Sequence, residues 1–396
     1  MKKILIISQY FYPNNFRIND IISKLSGKNY DIEIFSSNVN YISKKKDNKK
    51  NYQKLKFPGK NFNIHRLPVI SRNGSSFIGI ASEYISFVIS GIFYGKKIIL
   101  NKNKKFDKIF VYGTSPITQA LIAIYLKKKL KIPIILWVQD LWPESVIYTG
   151  YIKNKFIIDI LRSLIKYIYK NCDIILIQSP DFKSNIKRIF KHKNIQYLPN
   201  PPEIINIKKK NFLIDKKYFN VFYTGNFGRA QNLKILVLAA NYLKDKKNIR
   251  FYFFGDKKKA RDLIKLKKKL KLQNCFFPGY VEKKHFTFLL SQASIVTLGL
   301  KKNEIWSVTI PSKLQSYLNS GKPIAGFLAG TAAKIIRNSK AGYVNNPNDF
   351  KGLAKSIEKL SKKSKKSLDI MGRNGKSYCE KYFNINNIIK KLKQFL

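Results

Sequence analysis

The stretch "IPSKLQSYLNSGKPIAG", Ile310–Gly326, holds a whole helix-to-strand passage. Pro311 suits a helix start because it has no N–H to leave unpaired, Ser312 and Lys313 fall on the first turn, and Gly321 lets the backbone turn out of the helix. "KPIAG" then reads as a short buried strand. Helices that feed strands in this way build parallel sheets, and such sheets take ligands beyond the carboxyl ends of their strands, against helix N-termini. The first turn here offers free N–H groups, a dipole equivalent to roughly half a positive charge, and a lysine. A capped helix with an incidental lysine would read alike, so the surrounding pattern has to decide.

That pattern repeats along the chain. Short apolar runs at Ile4–Ser8, Asp31–Ser36, Ile64–Val69, Lys108–Tyr112, Ile134–Val138, Ile174–Ile177 and Gln196–Leu198 alternate with amphipathic stretches at Arg17–Leu25, Ile117–Lys129, Lys155–Tyr169 and Asp181–Phe190. "LPNPPEIINIKKKN" (198–211) has three prolines, a basic run and no periodicity, and reads as a linker. The alternation restarts with strands at Asn220–Thr224, Ile249–Phe254, Cys275–Phe277 and Ile295–Leu298 and helices at Gln231–Leu243, Asp256–Leu272 and Lys283–Ser291. "AGYVNN" (341–346) and a helical tail follow. The reading is α/β, two doubly wound, Rossmann-like domains facing a cleft, divided near residue 200.

The chain has 396 residues and a formal net charge of +55, from 77 Lys and Arg against 22 Asp and Glu. Such a balance predicts attraction to polyanions or anionic membranes. The lysines are spread throughout, however, as in "KKKDNKK" (44–50), "KNKK" (102–105), "KKK" (208–210) and "KLKKKLKL" (265–272), as compositional bias on solvated positions would leave them. No zinc-finger spacing, RNP-like strand or homeodomain-like helix is present, so charge alone implies only non-specific nucleic-acid binding and no specific nucleic-acid partner. Cys172, Cys275 and Cys379 stand far apart, which fits a reducing cytoplasm with no disulfide framework. The three histidines make no metal cluster with them. "FIGIASEYISFVISGIFYG" (77–95) carries one charge, Glu83, and reads equally as a buried domain helix or a helix in a membrane interface. A true span is disfavoured, because strands of one sheet precede and follow it.

Four loops after strands are candidates for chemistry. "SQYFYPNNFRIND" (8–20) opens a helix near Arg17. "VYGTSPITQA" (111–120) offers Thr114 and Ser115 to a polar ligand, or as an ordinary N-cap. "WVQDLWPESV" (137–146) sets Asp140 and Glu144 around a Trp-Pro pair, placed for acid–base or hydroxyl-binding work or for a helix macrodipole. "YTGNFGRAQNLK" (223–234) outlines a phosphate cradle with Gly225, Asn226 and Gly228, though without a full GxGxxG.

Together with the opening stretch, these loops resemble family-4 glycosyltransferases of the GT-B fold over essentially the whole chain. The segments "DLWPES" (Asp140–Ser145), "GNFGRAQ" (Gly225–Gln231) and "PSKLQSYLNSGKPI" (Pro311–Ile324) are similar to the fucosamine-transferase-like subgroup of O-antigen and capsule biosynthesis. The chain departs from the wider family in two places. That family holds the donor diphosphate with an Arg and a Lys where Asn226 and Gln231 stand here. Its two glutamates, eight positions apart, fall on Val308 and Ser316.

The resemblance implies a retaining glycosyltransferase that needs no metal or other cofactor. It implies a domain at 1–200 joined by a C-terminal helix (377–396), and a donor domain at 201–376. Arg229, Ser312 and Lys313 would hold the diphosphate of a UDP-sugar, with Gly225, Asn226, Gly228, Gln231, Pro311 and Ser316 around it and Tyr280-Val281 cradling the base. Asp140 and Glu144 would orient substrate, with Arg17, Thr114 and Ser115 on the acceptor side. The donated sugar would be an N-acetylated hexosamine or deoxyhexosamine. The acceptor would be a lipid-diphosphate-linked saccharide, and the enzyme would be peripheral on the cytoplasmic face of the inner membrane, against its anionic inner leaflet. A UDP-sugar 2-epimerase of the same fold and a basic nucleic-acid-binding protein are the rivals.

Overall fold

The computed structural model describes residues 1–25, 29–39, 57, 62–72, 77–148, 150, 152, 154–203, 212 and 214–396. The basic runs at 44–50 and 208–210, and the linker from 204 to 211, lie outside the described residues. The chain divides into one unit of Met1–Pro199 with Ile385–Leu396 and a second of Asn200–Asn384. The first unit's terminal helix therefore begins at Ile385 and not at 377. Lys365–Phe383 stays with the second unit, packed on helix Ser312–Asn319, while Ile385–Lys393 packs on Arg17–Leu25.

The first unit holds β1 (Lys2–Ile7), β2 (Tyr30–Ser37), β3 (Asn63–Leu67), β4 (Lys108–Gly113), β5 (Ile134–Val138), β6 (Ile174–Ile177) and β7 (Ile195–Tyr197), in sheet order β3-β2-β1-β4-β5-β6-β7. The second holds β8 (Phe219–Thr224), β9 (Ile249–Phe254), β10 (Cys275–Gly279), β11 (Ile295–Gly299), β12 (Ile324–Phe327) and β13 (Gly342–Asn345), in order β10-β9-β8-β11-β12-β13. All the paired strands are parallel. Runs such as "IILWV" in β5 form central strands because helices cover both faces and every residue is buried.

The helices depart from sequence expectation mainly at their starts. Ile117–Gln119 is a 3₁₀ turn before helix Ala120–Leu130, and Lys257–Ala260 is another before Arg261–Lys269. Helices Glu304–Val308 and Gly330–Asn338 are additional to the expected set. Helix Phe77–Tyr94, continued by a π turn to Leu100, joins β3 to β4. Residues Ile78–Leu100 are long and apolar enough to cross a membrane, with a mean hydropathy of 1.4. Because β3 and β4 belong to one sheet, the segment packs as a crossover helix of that domain and not as a span.

Candidate functional site

In the second unit the strand order reverses between β8 and β11, the place where parallel sheets of this kind take ligands. Gly225, just after β8, has a φ of 119°, and a Cβ there would stand 3.3 Å from both Cδ and Nζ of Lys313. Lys313 arrives from the first turn of helix Ser312–Asn319, whose N-cap, Pro311, makes no side-chain cap. Its Nζ donates to Tyr223 Oη at 2.6 Å and lies 4.1 Å from that ring's centroid. Burial holds the Tyr223 phenol neutral, so its hydroxyl donates in turn to the Asn226 carbonyl at 2.6 Å.

Four residues beyond Lys313, on the same helix face, Tyr317 clamps the helix to the strand end. Its hydroxyl accepts from the Thr224 N–H at 3.1 Å and pairs with Thr224 Oγ1 at 2.9 Å. Desolvation alone pulls the Lys313 pKa down to about 7. An ammonium kept from water on the first turn of a helix gains when an anion arrives.

The other expected donor residues stand around this point with different degrees of engagement. Asn226 is exposed, and its Oδ1 accepts from Lys259 Nζ at 3.4 Å. The α-helix expected from Gln231 starts at Leu233 instead, because Asn232 takes φ 52° and splits off a 3₁₀ turn, Arg229–Gln231. Arg229 is thus exposed on a turn and is not at an α-helix N-terminus. Gln231 Oε1 is buried with no hydrogen-bond partner among the described residues, and Gly228 leaves it room, since a Cβ there would be 2.7 Å away. Tyr280 is 67% exposed after Gly279, whose φ is 109°, while Val281 packs against the core. Ser312 is exposed. Ser316 is buried and its hydroxyl accepts from the Glu203 N–H at 3.4 Å, so it secures the chain after β7.

In the first unit the reversal lies between β1 and β4. Asp140, after β5, takes two hydrogen bonds on Oδ2, from the Ser115 N–H at 3.1 Å and the Ser115 hydroxyl at 3.0 Å. Trp142 Nε1 donates to the same Ser115 oxygen at 3.0 Å. Ser115 is therefore a positioning residue for Asp140, whose Oδ1 is left for a ligand. Desolvation raises the Asp140 pKa, and the two Ser115 bonds oppose it. The buried Tyr112 hydroxyl feels the charges of Arg17, Asp140 and Asp20, though desolvation dominates and raises its pKa. The hydroxyls of Thr114 and Thr118 are buried and have no hydrogen-bond partner among the described residues. Glu144 opens helix Glu144–Tyr148 and acts on the buried Tyr169 hydroxyl, whose pKa rises through desolvation first and Glu144 second.

Several residues here escape sequence reasoning. Gln119 accepts from the Gln9 N–H at 2.9 Å and donates to the Tyr112 and Pro116 carbonyls at 3.0 and 2.9 Å, tying two candidate loops together. Buried Glu83 accepts from Tyr10 Oη at 2.5 Å and Gln9 Nε2 at 3.2 Å through Oε1, and its Oε2 is ion-paired with Arg72 Nε at 3.1 Å. Only Tyr317 had a usable signal, its spacing from Lys313. Among the described residues no group of three or more His, Cys, Asp or Glu could hold a metal ion.

The second unit thus holds a desolvated lysine on a helix's first turn, and the first unit a desolvated carboxylate held by Ser115. Residues 204–378 match the family model of glycosyl transferases group 1, and that match supports a glycosyltransferase. Among named relatives, the probable glycosyltransferase WbjE of Pseudomonas aeruginosa is 23% identical over 315 residues, 74% of each chain. Sucrose-phosphate synthase from Thermosynechococcus elongatus superposes with a TM-score of 0.73 at 14% identity, covering 100% of this chain and 98% of that one. Anabaena Alr3699/HepE, solved in complex with UDP-glucose, superposes with a TM-score of 0.69 at 11% identity, covering 100% and 99%. These likenesses establish the GT-B fold.

Proposed function

We propose that this protein moves a sugar from a UDP donor to a lipid-diphosphate-linked saccharide, with retention of configuration and without a metal, in the assembly of a surface polysaccharide such as O-antigen or capsule. The donated sugar is an N-acetylated hexosamine or deoxyhexosamine, in keeping with the fucosamine-transferase-like segments. The enzyme works at the cytoplasmic face of the inner membrane. One observation carries the donor assignment: Lys313 is held by Tyr223 beside Gly225 at the switch point of the domain that matches the family model.

Glycosyl transfer from a nucleotide sugar needs its departing diphosphate stabilised and its acceptor hydroxyl positioned. Lys313 and the positive end of helix Ser312–Asn319 would stabilise the diphosphate, with Arg229 adding charge from its turn. Tyr280 gives the base an exposed ring to lie against. Asp140, aligned by Ser115, would accept from a sugar hydroxyl through Oδ1.

The Lys313 shift gives this reading a pH signature. In the free protein its pKa is about 7, and a bound diphosphate favours the protonated form and raises it. Donor binding should therefore take up a proton, and affinity should fall as pH rises above about 7. Calorimetry in buffers of different ionisation enthalpy measures the uptake directly. Stability of the free protein should move the opposite way. Between about 7 and the ordinary lysine value of 10.5 the unfolded chain binds more protons at this site, so its contribution rises with pH across that window.

Incubation with a panel of UDP-sugars and bacterial lipid extract, read by mass spectrometry, tests the activity. A lipid product heavier by one sugar residue, formed equally with chelator present, is the expected result. Isomerised UDP-sugar without transfer would assign the protein to the epimerases instead.

A further inference from the structure

Among the described residues, the outward face of helix Phe77–Tyr94 is left exposed. Ile78, Ile85, Ile89 and Phe93 are 79%, 59%, 63% and 61% exposed. Their spacing places them on one stripe, and Lys96 and Lys97, both exposed, continue it at the helix end. Exposed Lys102 and Lys105 follow, and among the described residues none of these four lysines has an ion-pair partner. The opposite face is spoken for. Glu83, Phe87, Ser90, Gly91 and Ile99 are buried, and a Cβ on Gly91 would meet Ile122 Cδ1 at 2.3 Å. Helix Ala120–Leu130 packs on both this helix and Lys155–Asn171, which likewise exposes Phe156 and Ile160, at 73% and 51%.

A helix with one face packed on its domain and the other apolar, ending in unpaired lysines, fits a flat anionic surface with an apolar interior. We propose that the stripe Ile78–Ile85–Ile89–Phe93, with Lys96 and Lys97, is the face by which this protein seats on an anionic lipid bilayer. The proposal rests on the membrane location in the reading above and specifies its contact. It also explains the inner side of the helix. Glu83 bonds Tyr10 and Gln9, and the Tyr84 ring lies 6.2 Å from that of Trp142, so the seated helix carries the candidate acceptor loops with it. Phe87 is fully buried, so among the phenylalanines of this helix with a described side chain only Phe93 faces the lipid.

Co-sedimentation with vesicles of phosphatidylglycerol and phosphatidylcholine, against vesicles of phosphatidylcholine alone, tests this on the full chain. Wild type should bind the anionic vesicles, and high salt should weaken binding severalfold. Ile85→Glu, Ile89→Glu and Phe93→Glu combined should abolish binding with the melting temperature and UDP affinity unchanged. Lys96→Gln with Lys97→Gln should weaken binding by up to about thirtyfold, at roughly 1 kcal/mol per lysine near the surface. Equal vesicle binding by the triple variant would overturn the proposal. So would a solution dimer that the triple variant dissociates while neither form binds vesicles, for the stripe would then meet a second copy. Calorimetry with UDP on the same samples separates the two readings: vesicle binding without UDP binding removes the transferase and leaves the surface standing.

Discussion

Lys313→Ala is expected to weaken UDP binding by about 10- to 150-fold and to lower turnover at least as much. A charge-assisted hydrogen bond to phosphate is worth about 1.5–3 kcal/mol, which sets that range. The fold should survive, because the lysine contributes a desolvated ammonium and one bond to Tyr223, while Tyr317 separately fixes the helix to Thr224. Removing a desolvated cation should leave the melting temperature at neutral pH unchanged or higher. Tyr223→Phe should show a smaller loss of affinity, since it frees the ammonium without deleting it. Arg229→Ala should also weaken the donor, but less, because an exposed guanidinium exchanges water for phosphate at little gain. Equal affinities for wild type and Lys313→Ala, read by calorimetry, would remove the phosphate assignment.

Asp140→Asn should cut turnover by about 100-fold or more while UDP affinity stays within about twofold. Acid–base and charge-orienting roles in such sites are typically worth 10²–10⁴ in rate. The asparagine can still accept from Ser115, so the loop should keep its place and the loss should fall on chemistry. Ser115→Ala should reproduce part of the loss, about tenfold, because Asp140 and Trp142 both depend on its hydroxyl. Its rate should also respond differently to pH. The hydroxyl bond that this substitution removes helps hold the Asp140 pKa down against desolvation, so the acidic limb should shift upward. Glu144→Gln should cost far less, since Glu144 acts on Tyr169. A loss of UDP affinity in proportion to activity in Asp140→Asn would place that residue on the nucleotide side.

The strands were legible because buried parallel strands are written as short runs of β-branched and aromatic residues between turns. "IILWV" in β5 and "IRFYFF" in β9 begin and end where the sequence implies. The loops that follow them were legible for the same reason. Helix starts were harder. Helix Gly330–Asn338 follows Ala329, which makes no side-chain cap, and opens on a glycine at φ 71°, so no starting signal marks it. The 3₁₀ turn that carries Arg229 depends on the left-handed conformation of Asn232, which local pattern does not reveal.

Side-chain constellations were least accessible. Lys313 meets Tyr223 across 90 residues, and Tyr10 meets Glu83 across 73. Neither pairing leaves a periodic trace. The helix Phe77–Tyr94 is apolar nearly all round, so composition could not say that Phe87 points inward and Phe93 outward. Packing against Ile122 and its neighbours decides that.

The account's central claim is that the second unit seats a nucleoside diphosphate at the end of β8. Calorimetric titration of wild type and Lys313→Ala with UDP, repeated at high salt, tests it most directly. A single saturable UDP site that largely survives salt in the wild type and is weakened at least tenfold by the substitution is the predicted result. No UDP binding at millimolar concentrations, with salt-sensitive binding to DNA in its place, would contradict it.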